Sequence, residues 1–256
     1  MNGRLSQFAG TYREWSPTLM LRPHVSCLWT NDLSNSPTAR IDVVPDGCVD
    51  IIWSARGLRV AGPDTGPTLE ETLPHEAIAG VRFHPGAAYS WLGVPLYHLL
   101  NLRIPLTEFW KDSATRLSDE AFAAGDVTAA ARRIEAAILA RLSRVGAVDR
   151  SIARLRMIAS ARGGFESERL ADVAREIGLS ERTMRRRCVT SFGYGLRTLT
   201  RIIRFQRFFG LATQSSGECL ADMAVQSGFS DQPHLAREVK RLSGFTTVEF
   251  VAQTRV

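Results

Sequence analysis

The stretch Leu170-Ala171-Asp172-Val173-Ala174-Arg175-Glu176-Ile177-Gly178-Leu179-Ser180 recurs fifty positions later as Leu220-Ala221-Asp222-Met223-Ala224-Val225-Gln226-Ser227-Gly228-Phe229-Ser230, identical at six of eleven positions. Each copy reads as a short amphipathic helix that stops at glycine, then an apolar residue, then serine. Glycine just past a helix end takes the left-handed conformation without a Cβ penalty, and serine offers the oxygen that the next helix needs at its N-terminus. Small Ala174 and Ala224 let paired helices approach closely. Each copy therefore predicts a helix-turn-helix unit, over residues 168–191 and 218–242, whose second helix enters a major groove.

The residues behind each serine have the chemistry this requires. Arg182, Arg185 and Arg186 are spaced i, i+3, i+4 and share one helical face, with Met184 pointing inward. Arginine takes guanine O6 and N7 through two parallel hydrogen bonds, so these three are candidate base readers. In the second copy Gln232, His234 and Arg237 offer base-reading groups, while Leu235 and Val239 face the core. Ser180, Lys240 and Arg241 stand where phosphates are met. A solvated helix face is the plain alternative, but two repeated basic helices behind matching turns favour double-stranded DNA.

The predicted helices from Asp149 onward are 150–161, 168–177, 181–191, 196–213, 219–227, 232–242 and 247–254. Breaks are expected at Gly163-Gly164, Gly178, Gly193, Gly217, Gly228 and Gly244, with Ser180 and Ser230 as N-caps. The helix between the units carries Leu199, Ile202, Ile203, Phe205, Phe208, Phe209 and Leu211. At about 18 residues it would span roughly 27 Å and hold the units rigidly apart. One chain would then read two successive major-groove faces, about 34 Å apart.

Charge divides along the chain in the same way. Residues 149–256 hold 18 basic and 11 acidic residues, a net of +7, whereas 1–148 hold 14 and 15, a net of −1. A basic domain joined to a neutral one suits attraction to a polyanion, because neutralised phosphates release condensed counterions. Cys27, Cys48, Cys188 and Cys219 are scattered without a Cys-x-x-Cys pair, which fits reduced thiols better than disulfides or zinc. No apolar run is long enough for a membrane span and the first ten residues lack a signal layout, so a cytoplasmic location is expected.

The first 110 residues read as β-rich. Ile41 and Val43, the Pro45-Asp46-Gly47 turn, and Val49, Ile51 and Trp53 suggest a hairpin. Ala77, Ala79, Val81 and Phe83 form another period-two run that stops at His84-Pro85-Gly86. Pro95 and Pro105 break Leu92–Trp110 into short pieces. Ala121 to Leu142 is Ala-rich with Ile134, Ile138 and Leu142 at helical spacing, a predicted helix linking the halves or making a dimer contact. The expected architecture is α+β in two domains: a β-rich, cupin-like sensor over 1–110, a helical segment over 111–148, and an all-α DNA-binding domain with two helix-turn-helix units over 149–256.

The C-terminal hundred residues resemble the AraC/XylS family of transcription regulators. The resemblance rests on Leu170–Ser180, Arg204, Met223-Ala224, Gly228-Phe229-Ser230-Asp231-Gln232, His234, Lys240-Arg241, Gly244 and Phe250. It implies two helix-turn-helix units joined by one long helix, with the family's base-contacting positions on Arg182, Arg185, Arg186, Gln232, His234 and Arg237. Cys188 and Leu235 stand where Phe is usual, Leu196 and Thr247 where Pro is usual, and Phe208 where a small Ala is usual. Pro233 removes a polar side chain from a position that can meet DNA. The N-terminal part resembles a sensor domain found ahead of such regions, through Tyr12-Arg13-Glu14-Trp15, Pro45–Asp50, Gly62-Pro63-Asp64, Gly80–Ala87 and Leu92–Pro95.

Asp46, Asp50, Arg82 and His84 are the candidate ligand-binding residues of that sensor. The partners expected are DNA, a small-molecule effector and RNA polymerase, with the chain a monomer or homodimer and no membrane involved. A metal-dependent cupin-like enzyme is the rival reading, since His24, His75, His84 and His98 accompany Asp46, Asp50 and Asp64. No metal-ligand spacing, nucleophile motif or phosphate loop supports it, so no catalytic residue, metal or cofactor is expected. A protein-interaction module without a small ligand is the third reading.

Overall fold

The computed structural model describes residues 4–34, 40–73, 75–146, 148–162, 167–214 and 218–254, with side chains omitted for 159–162 and 167–170. Among the described residues nine strands come first: β1 (Arg4–Leu5), β2 (Thr11–Trp15), β3 (Val25–Asp32), β4 (Arg40–Val43), β5 (Val49–Ser54), β6 (Gly57–Ala61), β7 (Thr68–Glu71), β8 (Ala77–Phe83) and β9 (Arg103–Pro105). Among them lie α1 (Tyr89–Leu92) and, after β9, α2 (Thr107–Trp110), α3 (Asp112–Phe122) and α4 (Val127–Arg141). The helical half has α5 (Arg150–Arg162), α6 (Ser167–Glu176), α7 (Glu181–Phe192), α8 (Leu196–Gln214), α9 (Leu220–Gln226), α10 (Gln232–Ser243) and α11 (Thr247–Thr254).

The strands form two sheets, of order β1-β4-β7 and β2-β3-β8-β5-β6-β9. Side chains alternate across the larger sheet. Leu28, Val49, Ile51, Leu58, Val60, Ala79, Val81 and Phe83 are buried in one cluster with Ala130, Ala131, Ile134 and Ile138 of α4. The apolar stripe of α4 is therefore spent covering the sheet. The opposite face, carrying Trp29, Asn31, Asp50, Arg59 and Arg82, lines a cavity shared with β4 and β7 of the smaller sheet.

Three sequence expectations change here. The Ile41–Trp53 segment is no hairpin: β4 pairs with β1 and β7, whereas β5 pairs with β6 and β8. Pro45-Asp46-Gly47 is a turn, with Asp46 Oδ1 accepting the Cys48 amide at 2.8 Å and Gly47 at φ +83°, but it carries the chain from one sheet to the other. Alternation reveals which face a residue takes, not which strand lies beside it. The helix expected over 121–142 is broken at Gly125 (φ +86°), and α4 starts behind an Asp126 N-cap that accepts the Ala129 amide at 2.8 Å. The second helix of the second unit, α10, is capped by Asp231, one residue after Ser230; its Oδ1 accepts the His234 amide at 2.6 Å.

That last change has a structural meaning. Gly178 and Gly228 are fifty apart, yet buried Met184 and Cys188 of α7 correspond to Leu235 and Val239 of α10, and left-handed Gly193 to Gly244, all fifty-one apart. The turn of the second unit is one residue longer. Of the expected glycine breaks, Gly178, Gly193, Gly228 and Gly244 all have positive φ; Gly163-Gly164 and Gly217 lie outside the described residues.

The helical half has its own core. Phe205, Phe208 and Phe209 of α8 pack on Phe250 of α11, with ring centroids 5.1–5.8 Å apart. Arg201 of α8 meets Glu238 of α10 at 3.1 Å, tying the long helix to the second unit. The halves touch: Leu5 joins the helical core, Phe8 lies 6.2 Å from Phe209, and Gly86 abuts Ile152 and Phe192.

Candidate functional site

On α7 the inward turn of Met184 and Cys188 leaves Arg182, Arg185 and Arg186 exposed. Ser180 caps the helix, its Oγ accepting the Thr183 amide at 3.2 Å. Arg185 Nε bonds Glu181 Oε1 at 2.9 Å, an exposed i, i+4 pair of the kind worth little in water. Arg187 turns away to Asp149 at 3.1 Å and helps seat α7 on α5. On α10 Gln232, Arg237 and Arg241 are exposed. His234 is partly withdrawn, its ring 5.3 Å from Phe229 and its Nδ1 3.0 Å from Ser230 Oγ. Lys240 Nζ donates to the Gly244 carbonyl at 2.6 Å, covering the helix C-terminus.

The first half reaches α7 and α10 near their C-terminal ends. A Cβ on Gly193 would meet Leu96, Leu100 and Pro63, and one on Gly244 would meet Pro67. The N-terminal turns of both helices, which carry the candidate base readers, face solvent.

Between the two sheets lies a cavity of about 100 Å³. Sandwich interiors ordinarily interdigitate apolar side chains; this one holds charges. Arg82 meets Asp50 at 3.0 Å, Asp46 at 3.2 Å and Glu14 at 3.6 Å. Trp29 lies flat over Gly80, where a Cβ would come within 2.3 Å of its ring, and donates Nε1–H to Asp50 Oδ2 at 3.0 Å. Burial pushes the Asp50 carboxyl above the usual range against the pull of Arg82. Burial likewise opposes the charge of Arg82, but Asp50 and Asp46 outweigh it and keep the guanidinium protonated. A second cluster joins Arg103 to Asp64 at 2.8 Å and to Glu70 at 2.5 Å.

The structure thus brings Asp46, Asp50 and Arg82 to one cavity and sets His84 apart. His84 Nε2 lies 3.1 Å from the Arg22 carbonyl oxygen, and burial, with the charge of Arg156, lowers its pKa. The sequence reading missed Tyr12, Trp29, Asn31, Arg59, Glu70 and Arg103 on the cavity wall, and named Asp64 only for the rival metal reading. Trp29 and Asn31 lie two apart on β3 and so share a face, a signal the alternation of Val25–Asp32 could have given, but nothing in it marks that face as the cavity side. Among the described residues no group of three or more His, Cys, Asp or Glu is placed to hold a metal ion, and no helix is long and apolar enough to cross a membrane.

A second hollow, of about 280 Å³, lies between the halves and is lined by Asp46, Pro85, Arg156, Phe192, Leu199 and Gln206, among others. Asp46 borders both spaces. Its turn is clasped by α8, whose Gln206 Nε2 donates to the Pro45 carbonyl at 2.7 Å. Buried Tyr194 has no partner for its hydroxyl, which would lie 3.5 Å from a Cβ on Gly47.

A β-rich domain joined to paired helix-turn-helix units with solvent-facing basic helices defines the class: a two-domain DNA-binding regulator fold. Residues 173–253 match the family described as a helix-turn-helix domain, and residues 13–105 match a domain of unknown function (DUF6597). The C-terminal part is therefore a helix-turn-helix domain. ToxT from Vibrio cholerae shares the fold at TM-score 0.50 and 11% identity, over 88% of this chain and 98% of that one. An AraC-type regulator from Chromobacterium violaceum is 22% identical over 41% of this chain and 91% of that one, at TM-score 0.37. ToxT from strain SCE256 bound to an unsaturated fatty acid matches at 12% identity and TM-score 0.43, over 84% and 94% of the two chains. No curated protein sequence matches the chain.

Proposed function

We propose that this chain is a sequence-specific transcription regulator that reads two successive major-groove faces and is controlled by a small effector in its N-terminal cavity. The carrying observation is the pair of solvent-facing basic helices held by one rod: α8, 19 residues long and therefore about 28 Å at 1.5 Å per residue. Arg182, Arg185, Arg186, Gln232, His234 and Arg237 read bases; Ser180, Lys240 and Arg241 take phosphates. Control reaches the DNA-binding half through the Pro45–Gly47 turn, which lines the cavity on one side and meets α8 on the other.

The test is DNA binding by the full chain, on selected sites and on random duplex at several salt concentrations, with and without a panel of small metabolites. Selected sites should bind far more tightly than random duplex, and at least one metabolite should change affinity for the selected site. Equal affinity for both duplexes sinks the base-reading claim, while indifference to the whole panel counts against effector control.

A further inference from the structure

The first half is close to neutral overall, yet its cations are unevenly spread. Lys111, Arg116, Arg141 and Arg144 line an open groove of about 500 Å³ where the start of α3 lies beside the end of α4, and Asp112 is the one carboxylate among its lining residues. Elsewhere on the surface Arg40, Arg154, Arg175, Arg185 and Arg187 each meet a carboxylate. Among the described residues none of the four groove cations does.

The shape and the field of the groove both come from named residues. Ala137 and Ala140 share a side of α4 with Arg141 and Arg144, at i, i+3, i+4 and i+7, so small side chains open a recess between long cationic ones. Arg141 is fixed there: its guanidinium lies 4.1 Å from the centre of the Trp110 ring and donates to Ser113 Oγ. Burial, and then the charge of Arg144, lower its pKa, so two like charges are held together without a counter-ion. Asp112 and Ser113 bring the first turn of α3 to the same space. Lys111 at the N-cap makes no side-chain bond to that turn, and the positive end of an 11-residue helix adds to the field of the cations.

Four cations against one carboxylate leave an excess of three positive charges, more than a singly charged anion matches. Arginine forks take phosphate oxygens two at a time, and helix N-termini favour the same groups. The first half meets α7 and α10 near their C-terminal ends, away from the turns that carry the candidate base readers, which favours a free anion over the duplex. We propose that the groove between α3 and α4 is a second ligand site, for a small anion bearing two linked phosphates, held by Lys111 and Arg116 on one side and by Arg141 and Arg144 on the other. It shares no lining residue with the sandwich cavity, so it stands whether or not that cavity takes an effector. Arg144 is five residues before Asp149, the partner of Arg187 on α7, so an anion held there also steadies the segment leading into the DNA-binding half.

The experiment is calorimetric titration of the full chain with inorganic pyrophosphate and with citrate, repeated on Arg116→Gln, Arg144→Gln and, on α7, Arg186→Gln, with random-duplex binding measured for each. All three side chains are exposed, so the replacements leave the core untouched. Expected is one saturable site for pyrophosphate, about tenfold tighter than for citrate and weakened about tenfold by Arg116→Gln and by Arg144→Gln but not by Arg186→Gln. Loss in Arg186→Gln alone puts the anion on α7 and overturns the site. Equal affinity for citrate overturns the phosphate class, and the absence of saturable binding overturns the whole proposal. Weaker duplex binding by Arg116→Gln and Arg144→Gln, with pyrophosphate unable to compete, makes DNA the occupant and overturns it too.

Discussion

Arg185 and Arg237 present exposed guanidinium groups near the open ends of two parallel-purpose helices, and each replaced by alanine should cost about 1–3 kcal/mol on the selected site with relaxed base choice at one position. Lys240 sits near the far end of α10, its Nζ on the Gly244 carbonyl, and is proposed to meet phosphates rather than bases. Lys240→Ala should weaken selected and random duplexes alike and reduce the salt slope by about one, read in the same competition assay. His24 gives a pH dependence. It is buried, accepts the Trp91 indole N–H at Nδ1 (3.2 Å), and burial lowers its pKa from the usual 6.5. Between the lowered value and 6.5 the unfolded chain binds more protons than the folded one, so stability falls as pH drops through that window. Melting temperature should decline from pH 7.5 to 5.5, with a shallower decline in His24→Asn; equal slopes would acquit His24.

At the scale of elements, the long helix α8 is more than a spacer. Its Arg201 pairs with Glu238 of α10, both side chains mostly buried at 19% and 14% exposure, so rod and recognition helix move together. Arg201→Met leaves Glu238 without its cation and should cost about 3 kcal/mol by denaturant melting. Loss of less than about 1 kcal/mol would mean that water replaces the guanidinium. The one-residue longer turn before α10 also matters here: the faces of α7 and α10 are equivalent at an offset of fifty-one, so exposed Arg186 corresponds to Arg237, while Arg182 and Arg185 correspond to Pro233 and Ala236. The first unit thus presents three arginines where the second presents one, and it should carry the larger share of base discrimination.

For the whole molecule, the decisive feature is how the halves meet. Gly86 is at φ +82°, and a Cβ there would come within 2.4 Å of Ile152 and 2.8 Å of Phe192, across the contact between the halves. Gly86→Ala adds a left-handed penalty of about 1–2 kcal/mol and pushes α5 and α7 away from the first half. Earlier proteolysis between residues 144 and 150 is the expected outcome, with DNA binding by the freed half retained. Gln206→Leu removes the bond to the Pro45 carbonyl and should leave DNA affinity of the unliganded chain nearly unchanged while blunting its response to effector. A full response in that variant would move the coupling route elsewhere.

The helical half was largely legible because its information is local. A repeat, glycine at each helix end, a capping oxygen and inward apolar spacing together specify two helix-turn-helix units and the faces they expose. Even the shift from Ser230 to Asp231 as the cap lay in plain sight, although adjacent residues with equal capping chemistry cannot be ranked without the backbone. The first half was legible only as strands. Period two assigned Asp50 and Arg82 to faces, yet which strands became neighbours, which face met α4 and which enclosed the cavity depended on distant segments, such as Val25 pairing with Phe83. Local sequence carries the conformation of each segment; the partners of a strand, and the space left between two sheets, exist only once distant segments have been brought together.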